Sequence, residues 1–341
     1  MIYGKVELHN IAEVRESDGI DGVRLQRVPE SVRSCLSPGG QRMMLVPACS
    51  EIRFICDGPA DVTLASEETA QVQVFYGSFQ STERYEIGRE PVTIGVEVPE
   101  RLRSLPGRYL KSMPFSPRVC RLVIGGPRRG PVIFQGAEGE NVRPPSRGDL
   151  PAKRYLAYGT SITQGAHATW AHLSYAGQTA IRLGVDLINL GSGGSAFCEF
   201  EMADFIAGRD DWDFATLAMS VNMIGGGFSP QEFRERTAYM IDAVAGARPE
   251  RPVVCITIFP HVRDFISGSP TGAEKGTSEE FRKQLREAVA ECGRPNVHLI
   301  EGPDLLEGIL GLTPDLVHPG DHGMTVIAEN LAERLRGIVG L

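Results

Sequence analysis

Apolar and polar positions follow two different patterns along the chain, and the change falls close to residue 150. In the first part the apolar residues form short runs, each bounded by Gly, Pro, Asp or Ser, with no long helical period between them. Runs of this composition and spacing predict short strands in an antiparallel, jelly-roll-like β-sandwich. The five clearest predicted strands are Glu51–Cys56, Val72–Tyr76, Val92–Val98, Arg121–Ile124 and Val132–Phe134.

The second part alternates apolar runs with longer stretches of helical periodicity. Strands are predicted at Arg154–Tyr158, Asp186–Leu190, Phe214–Met219, Val253–Ile258 and Val297–Ile300. Helices are predicted at Tyr175–Leu183, Pro230–Ala245, Ser278–Glu291 and Met324–Val339. This alternation indicates an α/β fold with a parallel sheet and helices on both of its faces. Ligands of such sheets bind at the carboxyl ends of the strands, so the residues that directly follow each run are the candidates for chemistry.

A polar segment rich in Gly and Pro, residues 136–151, separates the two patterns. Segments of this composition commonly link domains. The sequence therefore predicts a β-sandwich domain at residues 1–145 and an α/β domain at residues 146–341.

Composition and charge narrow the function classes. The formal charge is −8, and a negative chain with scattered Lys and Arg argues against nucleic-acid binding, which needs a basic surface. No apolar run approaches the roughly 18 residues of a membrane helix, and Met1–Glu7 lacks the apolar stretch of a signal peptide. Seven cysteines form no C-x-x-C pair. These features predict a cytoplasmic protein with reduced thiols and no membrane partner.

The first strand of the second part is followed by residues 159–165 (GTSITQG), which include Ser161. A serine on a glycine-flanked strand-to-helix turn exposes its hydroxyl, and the backbone N–H groups that follow point at any anion formed nearby. The segment is not a G-x-S-x-G elbow, because Thr163 occupies the second glycine position. A structural turn and a phosphate loop are the alternative interpretations, although the glycine-rich phosphate-binding patterns are missing.

Candidate groups also follow the next two strands. Residues 189–195 (NLGSGGS) include Gly194, and a glycine there lets the backbone aim an N–H into a cavity. Residues 220–225 (SVNMIG) include Asn222, whose side-chain amide can donate to an oxyanion. Taken singly, the first segment is also a common strand-to-helix turn, and the asparagine is also a frequent turn residue.

Residues 315–322 (DLVHPGDH) stand before the last predicted helix and place Asp315 three positions before His318. A carboxylate at this spacing can accept from one ring nitrogen, which leaves the other nitrogen free to take a proton. A single D-x-x-H pair also arises by chance. His322 is a rival base, but it follows Asp321 at the start of the helix, where a surface cap is the simpler role.

The order of these features resembles that of the SGNH (GDSL-type) hydrolase superfamily over roughly residues 153–341. The matching positions are Ser161 after the first strand, Gly194 after the second, Asn222 after the third, and Asp315 with His318 before the last helix. Some members of the superfamily, including carbohydrate acetylesterases and an acyltransferase of polyketide tailoring, also carry a sandwich domain before the catalytic one.

Two motifs depart from the pattern of the superfamily. Thr160 stands where the first motif usually has aspartate, which bears little on the mechanism. The third motif, typically G-x-N-D, has Ser220 and Met223 on either side and keeps only its asparagine. The second departure concerns the geometry around Asn222 and the wall of the pocket at Met223.

The resemblance implies a three-layer, flavodoxin-like catalytic domain and a serine mechanism. It makes Ser161 the nucleophile, His318 its general base and Asp315 the group that holds the imidazole. The oxyanion then lies between the N–H groups of Ser161 and Gly194 and the amide of Asn222. Activity is expected to fall below roughly pH 6–7, where a histidine becomes protonated.

No metal or cofactor is expected, since His167, His172 and His261 are too dispersed in the sequence for a ligand set. His167, Trp170 and Tyr175 are candidates for lining the pocket, with core packing as the alternative.

Three functions stay open. The first is a serine esterase that removes small acyl groups, such as acetate, from a small-molecule or carbohydrate ester. The second is an acyltransferase of secondary metabolism that passes the acyl group to an alcohol. The third is a non-catalytic carbohydrate-binding protein, against which the intact serine and D-x-x-H pair count.

Overall fold

The first part of the chain forms two antiparallel sheets in the computed structural model, which describes residues 1–110, 112–126, 130–219, 221–266 and 272–341. The strands in chain order are β1 (Ile2–Tyr3), β2 (Val6–His9), β3 (Glu13–Glu16), β4 (Val23–Gln26), β5 (Ser50–Ile55), β6 (Ala60–Ser66), β7 (Ala70–Tyr76), β8 (Phe79–Ile87), β9 (Val92–Val96), β10 (Val119–Ile124) and β11 (Val132–Gly139). One sheet has the order β1-β2-β5-β10-β7-β8, and the other has the order β3-β4-β11-β6-β9.

One hydrophobic core fills the space between these two sheets, which confirms the predicted sandwich. Successive side chains of a strand point to opposite faces, so alternate residues of each sheet meet in the middle. The first sheet contributes Ile52, Phe54, Val72, Val74, Leu122 and Ile124, and the second contributes Leu25, Val62, Leu64, Ile94, Val132 and Phe134. Four short helices lie between the strands: α1 (Glu30–Arg33), α2 (Pro38–Met43), α3 (Glu100–Arg103) and α4 (Gly107–Leu110).

The second part forms a parallel sheet, as predicted. Its strands are β12 (Arg154–Gly159), β13 (Asp186–Gly191), β14 (Phe214–Ala218), β15 (Val253–Ile256) and β16 (Val297–Ile300), in the order β13-β12-β14-β15-β16. This is the flavodoxin-like order, in which ligands bind where the order reverses, at the carboxyl ends of the first and third strands. Those ends belong to β12 and β14.

Helices cover both faces of the parallel sheet, which explains why its strands are continuous apolar runs. The helices are α5 (Ser161–Gln164), α6 (Tyr175–Leu183), α7 (Phe200–Gly208), α8 (Val221–Gly225), α9 (Pro230–Ala247), α10 (Val262–Phe265), α11 (Ser278–Cys292), α12 (Gly302–Leu305) and α13 (Asp321–Val339). One core lies under α7, α9 and α11, and a second core lies under α6 and α13. None of the helices in the described ranges has the length and apolar character needed to cross a membrane.

The predicted linker is wrong at its start. Residues 136–139 continue β11 beyond Phe134 and pair with β6, after a bulge between Phe134 and Gly136. Arg143 also pairs with Ile55 of the sandwich. Gly and Ala have low strand propensity, but the neighbouring strand supplies the backbone partners and overrides it. The boundary between residues 145 and 146 stays a prediction.

The sandwich packs against β13 through buried charges. The Arg53 guanidinium donates twice to the Asp186 carboxylate, at 2.8 and 2.6 Å, and once to Glu51, at 2.7 Å. Glu51 also accepts two hydrogen bonds from Arg121. A cavity of about 210 Å³ lies beside this network, lined by residues that include Phe115 and Leu187, at the amino end of β13.

Candidate active site

Ser161 is the first residue of α5 and lies at the carboxyl end of β12, where the sequence placed it. The Thr160 hydroxyl caps the helix by accepting from the N–H of Ile162, at 3.3 Å. The turn needs glycine at position 159, because a Cβ there would lie 2.1 Å from the Thr163 Oγ1 atom. The GTS segment is thus a strand-to-helix turn too tight for a larger residue at its first position.

The structure brings Ser161, His318 and Asp315 together in one hydrogen-bonded series. The distance from Ser161 Oγ to His318 Nε2 is 2.7 Å, and that from His318 Nδ1 to Asp315 Oδ2 is 2.6 Å. An ionised carboxylate can only accept, so His318 carries its proton on Nδ1. Its Nε2 atom is then an acceptor for the Ser161 hydroxyl, which is the orientation that general-base catalysis needs.

A tight turn explains the three-residue spacing of Asp315 and His318. Asp315 Oδ1 accepts from the backbone N–H groups of Val317 and His318, at 2.9 and 3.0 Å, and from the Thr313 hydroxyl, at 2.9 Å. Leu316 completes the turn with a φ of 54°. Partial burial raises the pKa of Asp315, but these hydrogen bonds and the one from the His318 ring outweigh it and hold the pKa well below its usual range.

Gly194 and Asn222 lie after the strands on either side of β12. Gly194 has a φ of 70°, and a Cβ added there would meet nothing within 4 Å, so the residue faces open space. Its N–H has no acceptor among the described residues. Asn222 Oδ1 accepts from the N–H of Ala196, at 3.2 Å, which directs the amide nitrogen away from that loop. In the described part of the chain this nitrogen donates to no protein atom.

The third predicted donor is the N–H of Ser161. It is the first N–H of α5, and such groups have no acceptor within the helix. Since β12 lies between β13 and β14, the three donors stand on adjacent loops at the carboxyl ends of these strands.

Two buried amides that the sequence analysis did not single out hold the loop after β13. The Gln164 Oε1 atom accepts from the N–H of Gly193, at 2.9 Å. Asn189 accepts from the N–H of Gly191, at 2.8 Å, and donates to the carbonyl of Thr163, at 2.8 Å. Both amides belong to the recognised segments, so a polar residue next to a predicted strand end was the available signal.

Several other predicted positions have different surroundings. Met223 is fully buried in the core that lies under α9. Tyr175 is also buried, and its hydroxyl bonds to Thr163 Oγ1, at 2.8 Å. His322 is exposed on the first turn of α13. Ser220 lies outside the described residues.

His167 lies against His318, whereas His172 and His261 lie elsewhere. The rings of His167 and His318 stack with centroids 4.3 Å apart. His167 Nδ1 lies 3.2 Å from Thr313 Oγ1, and its Nε2 lies 3.8 Å from Asp315 Oδ2. The chain thus brings a distant histidine to the D-x-x-H turn.

Potential metal ligands in the described ranges come together at His167, Asp315 and His318, whose ligand atoms lie within 4.8 Å of one another. Two of these residues, Asp315 and His318, also form the hydrogen-bonded series with Ser161.

A model of the GDSL-like Lipase/Acylhydrolase family matches residues 152–336, more than half of the chain. No match was found among curated proteins. Three solved structures share the fold over nearly the whole chain. The first is the salicylyl-acyltransferase SsfX3 from a tetracycline biosynthetic pathway, with 15% identity, 98% of this chain and 95% of that chain covered, and a TM-score of 0.74.

The second similar structure is a family two carbohydrate esterase from Clostridium thermocellum in complex with cellohexaose, with 14% identity, 99% of each chain covered and a TM-score of 0.62. The third is an acetyl xylan esterase from the rumen bacterium Butyrivibrio proteoclasticus, with 10% identity, 100% of this chain and 97% of that chain covered, and a TM-score of 0.60. At these identities the likeness shows a common fold that spans both parts of the chain.

Proposed function

The chain belongs to the GDSL-like lipase and acylhydrolase family, and from this premise we propose that it hydrolyses small acyl esters through an acyl-enzyme on Ser161. Membership makes the protein an SGNH-type esterase or acyltransferase. The observation that carries the serine mechanism is the pair of hydrogen bonds that joins Ser161 to His318 and His318 to Asp315. The three N–H donors, which have no protein acceptor among the described residues, support the same mechanism.

In the proposed acylation step the Ser161 oxygen attacks the ester carbonyl carbon, and His318 Nε2 takes the hydroxyl proton. The carbonyl oxygen becomes an oxyanion that accepts from Ser161, Gly194 and Asn222. Asp315 stays ionised and stabilises the imidazolium that forms. The bond between the carbonyl carbon and the leaving oxygen then breaks, and His318 returns its proton to that oxygen.

In the proposed deacylation step a water molecule attacks the carbonyl carbon of the acyl-serine while His318 takes a proton from it. The bond to the serine oxygen breaks, that oxygen regains a proton from His318, and the acid leaves. Hydrolysis requires that water reach the site, and the side chains of His318 and Asp315 are 20% and 38% exposed. This exposure favours hydrolysis over transfer, because transfer requires the exclusion of water.

The similar structures bear on the substrate class. Two of them are described as a carbohydrate esterase and an acetyl xylan esterase. Their full-length likeness supports an acetylated carbohydrate, or another small acetylated alcohol, as the substrate.

An acyltransferase is the second candidate function. It is supported by the likeness to the salicylyl-acyltransferase, which spans 98% of this chain. In this version an alcohol occupies the place of the deacylating water, with the same serine and histidine.

Hydrolysis of p-nitrophenyl acetate tests the mechanism with a matched pair of variants. Ser161→Ala removes the proposed nucleophile. Ser278→Ala is the control, because Ser278 Oγ also bonds to a histidine, His261, at 3.0 Å, but His261 Nδ1 has no hydrogen-bond partner in the described parts of the chain. We expect Ser161→Ala to lose activity and Ser278→Ala to keep it. Equal activity in the wild type and Ser161→Ala would exclude the acyl-serine.

Acceptor alcohols then separate the two functions. Wild-type protein is incubated with p-nitrophenyl acetate and a panel of simple alcohols and sugars, and the ratio of acetate to new ester is measured. Acetate as the main product at every acceptor concentration supports the esterase. A new ester that replaces acetate at millimolar acceptor supports the acyltransferase.

A further inference from the structure

β13 is an edge strand of the parallel sheet, and side chains of the sandwich cover its outer edge. An uncovered edge would leave a row of backbone groups without partners. Carbonyls of alternate β13 residues accept hydrogen bonds from the sandwich instead. His9 Nε2 donates to Leu187 at 2.6 Å, and Asn10 Nδ2 donates to Asn189 at 3.0 Å.

Arg27 covers the last part of this edge. Its Nη1 atom donates to the carbonyls of Asn189 and Gly191, at 3.0 and 2.9 Å. Its Nε and Nη2 atoms donate to the carbonyls of Val46 and Met43, at 2.7 and 2.6 Å. One side chain thus joins a loop of the sandwich part to the carboxyl end of β13.

Burying the charged side chain of Arg27 costs free energy of folding. The residue is 1% exposed, and among the described residues it forms no ion pair. Burial lowers the pKa of Arg27 to about 9, so the guanidinium is still charged at neutral pH. A buried charge without a counter-ion is destabilising unless its hydrogen bonds compensate for the lost water. A neutral residue would fill the same space at less cost, so a fork of four carbonyl contacts is the distinctive contribution of arginine here.

The carbonyl of Gly191 stands at the start of the loop that carries Gly194. Within this loop the N–H of Gly193 donates to Gln164, and the N–H of Ala196 donates to Asn222 Oδ1. The sandwich also contacts the far side of the loop, where a Cβ on Gly39 of α2 would lie 3.0 Å from the Ser195 Cβ. A shift at Gly191 would therefore displace two of the proposed oxyanion donors together, the N–H of Gly194 and the amide of Asn222.

We propose that Arg27 is a positioning residue of the active site, which from within the sandwich part fixes the loop that carries Gly194 and, through the Ala196 N–H, the side chain of Asn222. This inference rests on the proposed function, because it gives the loop the task of binding an oxyanion. It also gives the sandwich a role in the reaction. A displacement of about 1 Å at a reacting group can cost about 10²-fold in rate.

Arg27→Met and Arg27→Lys test the proposal, with His9→Leu as the matched control. Met removes the charge and the donors, whereas Lys keeps the charge and loses the fork. His9→Leu removes a bond to the same edge at Leu187, further from the loop. The measurements are kcat and KM for p-nitrophenyl acetate, the rate of Ser161 phosphonylation by a fluorophosphonate, and Tm.

We expect kcat and the phosphonylation rate of Arg27→Met to fall about 10- to 100-fold while KM stays within about twofold, because oxyanion contacts act in the transition state. Arg27→Lys is expected to lie between Arg27→Met and the wild type. His9→Leu is expected to lower Tm and to keep kcat.

An unchanged kcat in Arg27→Met, an effect on KM alone, or an equal loss of kcat in His9→Leu would overturn the proposal. Failure of both Arg27 variants to fold while His9→Leu folds would also overturn it, because Arg27 would then be structural only. Failure of the proposed function is distinguishable, since the wild type itself would then neither hydrolyse the ester nor become labelled at Ser161.

Discussion

Replacing Arg53 by methionine would remove the two shortest hydrogen bonds to the buried Asp186 carboxylate. His9, at 3.4 Å, and Arg154, at 3.6 Å, would remain beside it. Arg53 is 0% exposed and Asp186 is 2% exposed, and two hydrogen bonds of 2.8 and 2.6 Å join them. Breaking a buried ion pair by removing one member costs about 3–5 kcal/mol. For folding units of 150–250 residues, 1 kcal/mol corresponds to about 2–4 °C, so the expected fall in Tm is about 6–20 °C.

The pH dependence of this fall in Tm follows from the pKa of Asp186. Burial raises that pKa, but in the wild type the charge and hydrogen bonds of Arg53, together with the charges of His9 and Arg121, outweigh burial and lower the pKa well below the usual range. The wild-type carboxylate therefore contributes stability above a pH of about 4, and this contribution is lost only as pH falls through the lowered pKa. Without Arg53, burial dominates and the pKa of Asp186 rises, so protonation stabilises the folded variant as pH falls.

Thermal unfolding at pH 8 and pH 5.5 measures both effects. We expect the difference in Tm between the wild type and Arg53→Met to be larger at pH 8. Arg294→Met is the control, because Arg294 also donates twice to an aspartate, Asp242, but at the surface. Exposed pairs contribute little, so its Tm is expected to match that of the wild type. An Arg53→Met protein within 2 °C of the wild type, or a deficit independent of pH, would refute the reasoning.

Four predictions concern the active site. Asn222→Ala is expected to lower kcat about 10²–10³-fold at unchanged Tm, because it removes one donor to the oxyanion. A fall in kcat of less than twofold in a kinetic assay would exclude Asn222 as an oxyanion donor. Asp315→Asn is expected to lower kcat about 10³–10⁴-fold, because the amide donates to the ring and reverses its tautomer. Since its pKa is held low, Asp315 stays ionised at working pH, so wild-type kcat/KM is expected to show no ionisation near pH 4, where a free carboxyl group titrates, and an ionisation there would contradict this. His167→Ala removes the ring stacked on His318 and the bond to Thr313. We expect kcat to fall about tenfold, because the His318 ring would be positioned less well. An unchanged kcat would show that His167 has no part in positioning His318.

All five strands of the parallel sheet were predictable from the sequence, whereas several strands of the sandwich were not, among them the buried β2 and β6. The strands β12–β16 are continuous apolar runs because helices cover both faces of their sheet, and this pattern is visible in one dimension. β8 (Phe79–Ile87) was missed because it is an edge strand with mostly exposed and polar residues, held by its pairing with β7. Residues 136–139 were missed for a related reason, since β6 pairs with a segment of low strand propensity.

At the site, local features were predictable from the sequence and long-range contacts were not. Ser161, Asp315 and His318 were predictable because each stands at a strand end or in a local turn, and their order along the chain carries information. Their hydrogen bonds follow the predicted series, while the catalytic roles of all five predicted residues stay predictions. Arg27 could not be predicted, because its partner Gly191 lies 164 residues away in the sequence and the contact depends on how the sandwich packs. The cytoplasmic location also stays a prediction.

The most direct test of the acyl-serine is the site at which a fluorophosphonate labels the wild-type protein. Peptide mass spectrometry after labelling is expected to find one phosphonyl group per chain, on Ser161, with hydrolysis of p-nitrophenyl acetate lost in parallel. His318→Ala is expected to slow the labelling. A protein that keeps its esterase activity after complete labelling of Ser161, or that is labelled elsewhere while Ser161 stays free, would contradict the account.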